Sequence, residues 1–221
     1  MPAYSAIILA AGKGSRTHLD YNKVFYHLDS NHTVLDRSLE IFESDPDCKQ
    51  IIGVCASYEK DYVEKNYSKY SKLSWTVGGN TRQESVFNGL QKVKMPVVMI
   101  HDGARPFLKR ESLEALKHMM NFEKAALLMT PAIDTIKIVD ESGYVVMTPA
   151  REQIYHAQTP QAFMTDLILQ AHLEAQKTGI EGTDDAQLVE RFTHVPVACV
   201  IGDPSNTKIT NPDDLDHLVQ D

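Results

Sequence analysis

Cysteine is scarce in this chain of 221 residues: Cys48, Cys55 and Cys199 lie far apart, with no Cys-x-x-Cys pair. That excludes a disulfide framework and a cysteine-built zinc site, and it points to a reducing cytoplasm. Positive charge is also short, with 22 Lys and Arg against 30 Asp and Glu, a net −8 and no basic block. A general nucleic-acid or anionic-membrane binder needs the opposite balance, so any anionic ligand must be held by a few placed cations. Long apolar runs are missing too. None exceeds strand length, so no segment can span a bilayer, and the opening Met1-Pro2-Ala3-Tyr4-Ser5 lacks the basic stretch and cleavage site of a signal peptide. With 11 Gly and 10 Pro, and no internal repeat or Ser/Gly linker, collagen-like and low-complexity classes drop out. The remaining composition, 43% hydrophobic, is expected to build one core over a single domain, residues 1–221.

Residues 6–11 form a short, unbroken apolar run with β-branched Ile7 and Ile8. Such a run is expected to be a strand of a parallel sheet covered on both faces. Residues 50–56, 73–77, 97–101, 125–130 and 195–201 read as further strands. Helical patterns at 34–42, 82–93, 111–120, 164–176 and 184–192 alternate with them, and Val86, Leu90 and Val93 mark one helical face. Thr81 and Glu84 have capping-box spacing. This alternation predicts an α/β, Rossmann-like, doubly wound and mostly parallel sheet. Residues 135–157 break the rhythm with Thr-Ile-Lys-Ile-Val, a turn at Glu141-Ser142-Gly143, then Tyr-Val-Val-Met-Thr, a hairpin signal. A lone hairpin is marginal in water. It is therefore expected to project and pack on a second subunit, the alternative being an edge hairpin lying flat on its own sheet.

Leu9-Ala10-Ala11-Gly12-Lys13-Gly14-Ser15-Arg16 closes the first strand, and Lys13, Arg16 and Lys23 form a local positive cluster. Glycines at a strand exit let backbone N–H groups approach an anion, so a polyphosphate is the natural occupant. A P-loop is excluded because Gly-x-x-x-x-Gly-Lys-Ser/Thr is absent. A dinucleotide fold fails because position 17 is Thr and the next strand ends far too late for its acidic residue. What remains is similar to the nucleotidyltransferase loop, Ala-Ala-Gly-x-Gly-x-Arg with a lysine seven residues on. Then follow Gly78-Gly79-Asn80-Thr81-Arg82-Gln83-Glu84-Ser85-Val86, His101-Asp102-Gly103-Ala104-Arg105-Pro106 and Asp134-Thr135-Ile136-Lys137. Gln158-Thr159-Pro160-Gln161-Ala162-Phe163, Thr183-Asp184-Asp185-Ala186 and Asn206-Thr207-Lys208-Ile209-Thr210 complete the series. In this order, over about residues 5–215, they resemble the 2-C-methyl-D-erythritol 4-phosphate cytidylyltransferase family. Bacterial ribitol-5-phosphate cytidylyltransferases share nearly the same set, so the acceptor alcohol stays open at this point.

The resemblance implies a fold of the nucleotide-diphospho-sugar transferase type, and transfer of CMP from CTP to a sugar-alcohol phosphate with release of pyrophosphate. The nucleophile is a phosphate oxygen already largely ionised at neutral pH, its second pKa being about 6, so no catalytic base is required. Positioning and charge stabilisation are what the enzyme must supply. Arg16 and Lys23 match the family's transition-state stabilisers, and Arg151 and Lys208 the residues that hold the acceptor phosphate. Ala10, Ala11, Gly12, Gly14, Gly78, Gly79, Asn80, Arg82, Ser85, Asp102 and Gly103 fall on the nucleotide-binding segments. Thr135, Thr159, Thr183 and Thr210 would surround the alcohol, and Asp102 would lie beside a magnesium ion carried mostly by the CTP phosphates. His101 is expected to be an oriented core histidine; Arg105 is either an ion-pair partner or a ligand contact. In the family the hairpin arm crosses to a partner, which implies a homodimer with sites completed in trans. A nucleotide-binding regulator without turnover is the reading from another class, and it is disfavoured by the full set of charged residues. The chain departs from the family at Asn22-Lys23-Val24, where Pro-Lys-Gln is usual, at Gly103, commonly alanine, and at Thr207, usually isoleucine. Without the proline, the turn carrying Lys23 is expected to be looser.

Overall fold

The computed structural model describes residues 2–12, 20–211 and 214. Its backbone is a seven-stranded sheet. The first three strands, β1 (Tyr4–Leu9), β2 (Cys48–Cys55) and β3 (Leu73–Val77), are joined by α1 (Val34–Glu43) and α2 (Lys60–Asn66). After α3 (Arg82–Leu90) come β4 (Val97–Asp102), α4 (Arg110–Met119) and β5 (Ala125–Pro131). A separate hairpin of β6 (Ile138–Val139) and β7 (Val145–Met147) follows. The chain then returns through β8 (Tyr155–Met164), α5 (Thr165–Thr178), α6 (Asp185–Phe192) and β9 (Ala198–Ile201). The sheet order is β3-β2-β1-β4-β8-β5-β9, parallel except that β8 runs antiparallel to both β4 and β5.

Alternation along the buried strands divides the core into two layers. Tyr4, Ala6 and Ile8 pack with Leu35, Leu39 and Phe42 of α1 and Leu113 and Leu116 of α4. Ile7, Val98 and Ile100 face the other way, against Val86 and Leu90 of α3, Ile168 and Ala171 of α5 and Leu188 of α6. Each large side chain withdrawn from water here contributes about 1.5–3 kcal/mol, and covering both faces is what makes the strands read as unbroken apolar runs.

Two elements were not legible in the sequence. Helix α2 buries only Val63, so it lacks a recurring apolar face. Strand β8 carries Pro160, which argues against a central strand. Its ladder to β5 is irregular between Leu127 and Met129, across the stretch that contains the proline. At α3 only half of the expected capping box forms. Thr81 Oγ1 accepts from Glu84 N at 3.1 Å, while the Glu84 carboxylate turns to Asn80 N.

The hairpin forms as read from the sequence, with Gly143 at φ +85 and Asp140 Oδ1 accepting from Ser142 N and Tyr144 N. It is a two-stranded sheet of its own rather than an edge of the main one, and Ile138, Val139, Tyr144, Val145, Val146 and Met147 are all exposed on it.

Candidate active site

Strand β1 connects outward to β2 on one side and lies beside β4 on the other, so the sheet order reverses between β1 and β4. At such a switch point the diverging loops leave a crevice at the carboxyl ends of the strands. A cavity of about 390 Å³ opens there, lined by Ala11, Gly12, Lys23, Gly79, Asn80, Arg82, Ser85, Asp102 and Lys208 among others. A smaller hollow of about 260 Å³ is lined by Arg105, Thr159, Gln161 and Thr183, and shares Arg82, Asp102 and Lys208 with the first.

The shared wall is a charge cluster. Asp102 ends β4 and is 7% exposed; its Oδ2 lies 2.8 Å from Lys208 Nζ and 3.9 Å from Arg105 Nε, and its Oδ1 3.6 Å from Arg82 Nε. Burial pushes this carboxyl up, but Lys208 and Arg82, then Arg105, outweigh it and hold Asp102 well below the usual carboxylate range. Arg82 opens α3 and reaches Asp185 Oδ2 at 2.8 Å, and Asp185 Oδ1 faces His172 Nε2 at 3.3 Å. Burial works against the Arg82 charge, yet Asp185 and Asp102 beside it raise its pKa above the ordinary guanidinium value. Arg105 donates to Asn206 O at 2.7 Å, tying the segment that carries Lys208 to the back of Asp102. Arg105 thus lies beside Asp102 and also borders the smaller hollow.

His101 is fully buried and packs on Phe42, as expected of a core histidine. Its Nε2 faces Arg105 O at 3.1 Å and its Nδ1 faces Thr159 Oγ1 at 3.0 Å, while Thr159 Oγ1 accepts from Asp102 N at 3.0 Å. Thr159 thus has a buried hydroxyl that fixes the Asp102 backbone, as well as a place on the wall of the smaller hollow.

Other expected residues fall on either side of the cavity wall. Gly79 lies against α3, where an added Cβ would meet Glu84 Cβ at 2.3 Å; its N–H donates to Ser85 Oγ at 3.1 Å. Ala10, Gly78 and Gly103 stand behind the lining residues, Gly103 donating its N–H to Leu9 O at 2.9 Å. Thr210 N and Oγ1 donate to Asp214 Oδ2 at 2.6 and 2.9 Å, and Thr210 lines neither hollow. Thr135 and Arg151 are exposed at the arm and bonded to each other, Arg151 Nη2 to Thr135 Oγ1 at 3.0 Å. Within one chain they line neither hollow. Gly14 and Arg16 lie outside the described residues.

At Lys23 the turn that usually carries a proline is braced by side-chain bonds. Asn22 is 4% exposed and caps the 3-10 turn Lys23–Phe25 at φ −67, the φ a proline would fix, its Oδ1 accepting from Val24 N at 3.3 Å. Its Nδ2 donates to Ala10 O at 2.6 Å and to Glu59 Oε2 at 3.3 Å. Side-chain hydrogen bonds hold the conformation that a ring would impose. Sequence reading missed Glu59 and His172, and gave no pairing role to Asn22 and Asp185, because their partners are distant in the chain. Only Asn22, a capping residue type before a turn, carried a local signal.

For a divalent ion the donor set is a single carboxylate, Asp102, at the cavity wall, and no group of three His, Cys, Asp or Glu suited to a metal occurs among the described residues. That fits an ion carried chiefly by substrate phosphates, which needs only one or two protein carboxylates.

An open α/β sheet with a glycine-bordered, cation-bearing cavity at its switch point is the architecture of an α/β protein that binds a phosphorylated ligand such as a nucleotide. The comparisons narrow this class. The model of the family described as IspD: 2-C-methyl-D-erythritol 4-phosphate cytidylyltransferase matches residues 4–218, and the chain belongs to that family. The 2-C-methyl-D-erythritol 4-phosphate cytidylyltransferase of Geobacillus thermodenitrificans is 41% identical over 216 residues, covering 96% of this chain and 93% of the relative. The enzyme of the same name from Bacillus licheniformis is 40% identical over 218 residues, covering 96% and 92%. Among solved structures, 4-diphosphocytidyl-2C-methyl-D-erythritol synthase from Anaerococcus prevotii has a TM-score of 0.88 at 31% identity, covering 98% of this chain and 94% of that one.

Proposed function

We propose that the chain transfers CMP from CTP to 2-C-methyl-D-erythritol 4-phosphate, giving CDP-methylerythritol and pyrophosphate in isoprenoid biosynthesis. The observation that carries this reading is the wall of Arg82, Asp102 and Lys208 common to a nucleotide-sized hollow and a smaller one. Two phosphorylated reactants seated on either side of that wall meet across fixed cations. The relatives' names favour methylerythritol phosphate over ribitol phosphate as acceptor.

In this reading the Gly79–Asn80 backbone and Ser85 face the cytosine, and Ala11 and Gly12 approach the triphosphate. Lys23, with Arg16, stabilises charge growing on the α-phosphate, and Lys208 holds the acceptor phosphate for in-line attack. Arg82, fixed by Asp185, spans both compartments. Asp102 keeps the cations oriented and would share magnesium with the CTP phosphates; the ion, when bound, neutralises phosphate charge. Thr159 and Thr183 border the acceptor. The arm at residues 135–157, with an exposed apolar surface that a second copy would cover, brings Thr135 and Arg151 to the partner's site in a homodimer. No helix among the described residues is long and apolar enough to cross a membrane. With three free cysteines, we assign the enzyme to the cytoplasm.

Pyrophosphate release with CTP or UTP against 2-C-methyl-D-erythritol 4-phosphate or D-ribitol 5-phosphate, in parallel, tests the chemistry. Turnover only with CTP and the methylerythritol ester is expected. Equal or faster turnover with the ribitol ester overturns the acceptor, and no release with any pair overturns the reading.

A further inference from the structure

The turn that presents Lys23 joins the core through Val24, with Phe25 packed against it. It backs onto a hollow of about 540 Å³ bordered by Tyr21, Phe25, Glu59 and Tyr62. On that side Phe25 rests on Tyr62, ring centroids 4.9 Å apart, and Asn22 adds a polar brace. Both protons of the Asn22 amide are directed, one to Ala10 O at the end of β1 and one to the buried Glu59 carboxylate. Glu59 Oε2 in turn faces Ala56 N at 3.4 Å, just beyond the end of β2. The amide therefore links the ends of two adjacent strands to the first residue of the Lys23 turn. A buried carboxylate with raised pKa is costly to keep, burial being the main cause and the Asn22 bond opposing it.

We infer that Asn22 and Glu59 act as positioning residues, a hydrogen-bonded strut that sets the reach of Lys23 into the nucleotide cavity. The inference rests on the role proposed for Lys23 above. Because Lys23 Cα follows Asn22 directly, a shift of the capping residue moves the ammonium. Misplacement on the 1 Å scale by a residue away from the chemistry lowers turnover by about 10²-fold at most.

The test is a kinetic cycle on the full chain with saturating CTP and acceptor. Lys23→Ala is expected to lower kcat by about 10²–10³-fold and Asn22→Ala by about 10-fold. In the double variant, Asn22→Ala should add less than about twofold to the Lys23→Ala loss, since no lysine remains to be placed. A merely structural defect would lower the active fraction in both backgrounds alike, so losses that multiply overturn the inference. If Asn22→Ala fails to fold, Glu59→Ala is run through the same cycle with Glu59→Gln as its conservative rescue, under the same criteria. Unchanged kcat in Lys23→Ala sinks the proposed role of the lysine and the strut together. A deep Lys23→Ala loss beside an unaffected Asn22→Ala sinks the strut alone.

Discussion

Two buried ionic clusters sit at opposite ends of one sheet, and they differ in the sign of what is left over. At the carboxyl end, Arg82, Arg105 and Lys208 converge on Asp102, and among the described residues Asp185 is the other carboxylate that pairs with one of them. At the amino end the arithmetic inverts. Lys117 Nζ meets Asp45 at 3.0 Å, Asp47 at 2.8 Å and Glu114 at 3.0 Å, and Tyr4 donates its hydroxyl to Asp45 Oδ2 at 2.7 Å. The first cluster carries surplus cations on the wall of a cavity; the second surrounds one buried cation with the buried Asp45 and the half-exposed Asp47 and Glu114. Burial and ion pairing are common to both, so neither marks a site. What distinguishes the upper cluster is a positive excess that faces a hollow, in a protein whose overall charge is −8.

Deleting the cation of each cluster breaks the comparison if it is wrong. Lys117→Met leaves Asp45, which is fully buried, without its cation, and removing one partner of a buried pair costs about 3–5 kcal/mol. Urea unfolding should show this as a lower midpoint at unchanged slope, while turnover per folded molecule stays within about twofold. A loss below about 1 kcal/mol would place the lower cluster among weak surface pairs.

Lys208→Met should do the reverse. Turnover is expected to fall by about 10²–10³-fold, as for other removed electrostatic donors. Stability should fall less than in Lys117→Met, because Arg82 and Arg105 still face Asp102. Pyrophosphate release within about threefold of the parent would mean that the positive excess is structural.

The same contrast explains how much was legible beforehand. Ile7 and Ile8 in β1 and Val97 to Ile100 in β4 announce buried parallel strands because both faces are covered, and motif segments then placed Asp102 and Lys208. Pairing across the fold was not legible. Nothing near Arg82 in the chain announces Asp185, about a hundred residues on, and nothing near Asn22 announces Glu59. Pro160 concealed β8 because local preference disfavours a residue that cannot donate to a ladder. Tertiary context seated that strand between β4 and β5 regardless. The bracing of the Lys23 turn was hidden for a related reason. A side chain supplied by long-range hydrogen bonds what the backbone ring supplies covalently.

The finest distinction concerns His101, the one ionisable group beside Asp102 held neutral. A carbonyl, Arg105 O, faces Nε2, so that nitrogen bears the proton and Nδ1 accepts from Thr159 Oγ1, which accepts in turn from Asp102 N. A second proton on the ring would turn Nδ1 into a donor and leave the Thr159 hydroxyl proton to find another acceptor. Burial is the main cause of a pKa pushed down to about 4 from 6.5; Asp102 pulls it the other way. Since the folded value lies below the unfolded one, the group's stabilisation is complete above pH 6.5 and is lost as pH falls toward 4. The total is about 3 kcal/mol, at 1.36 kcal/mol per unit. Imidazole C–H shifts followed by NMR from pH 7.5 should show His101 neutral through pH 5.5. A His101 midpoint above about 6 would break the relay that fixes the Asp102 backbone.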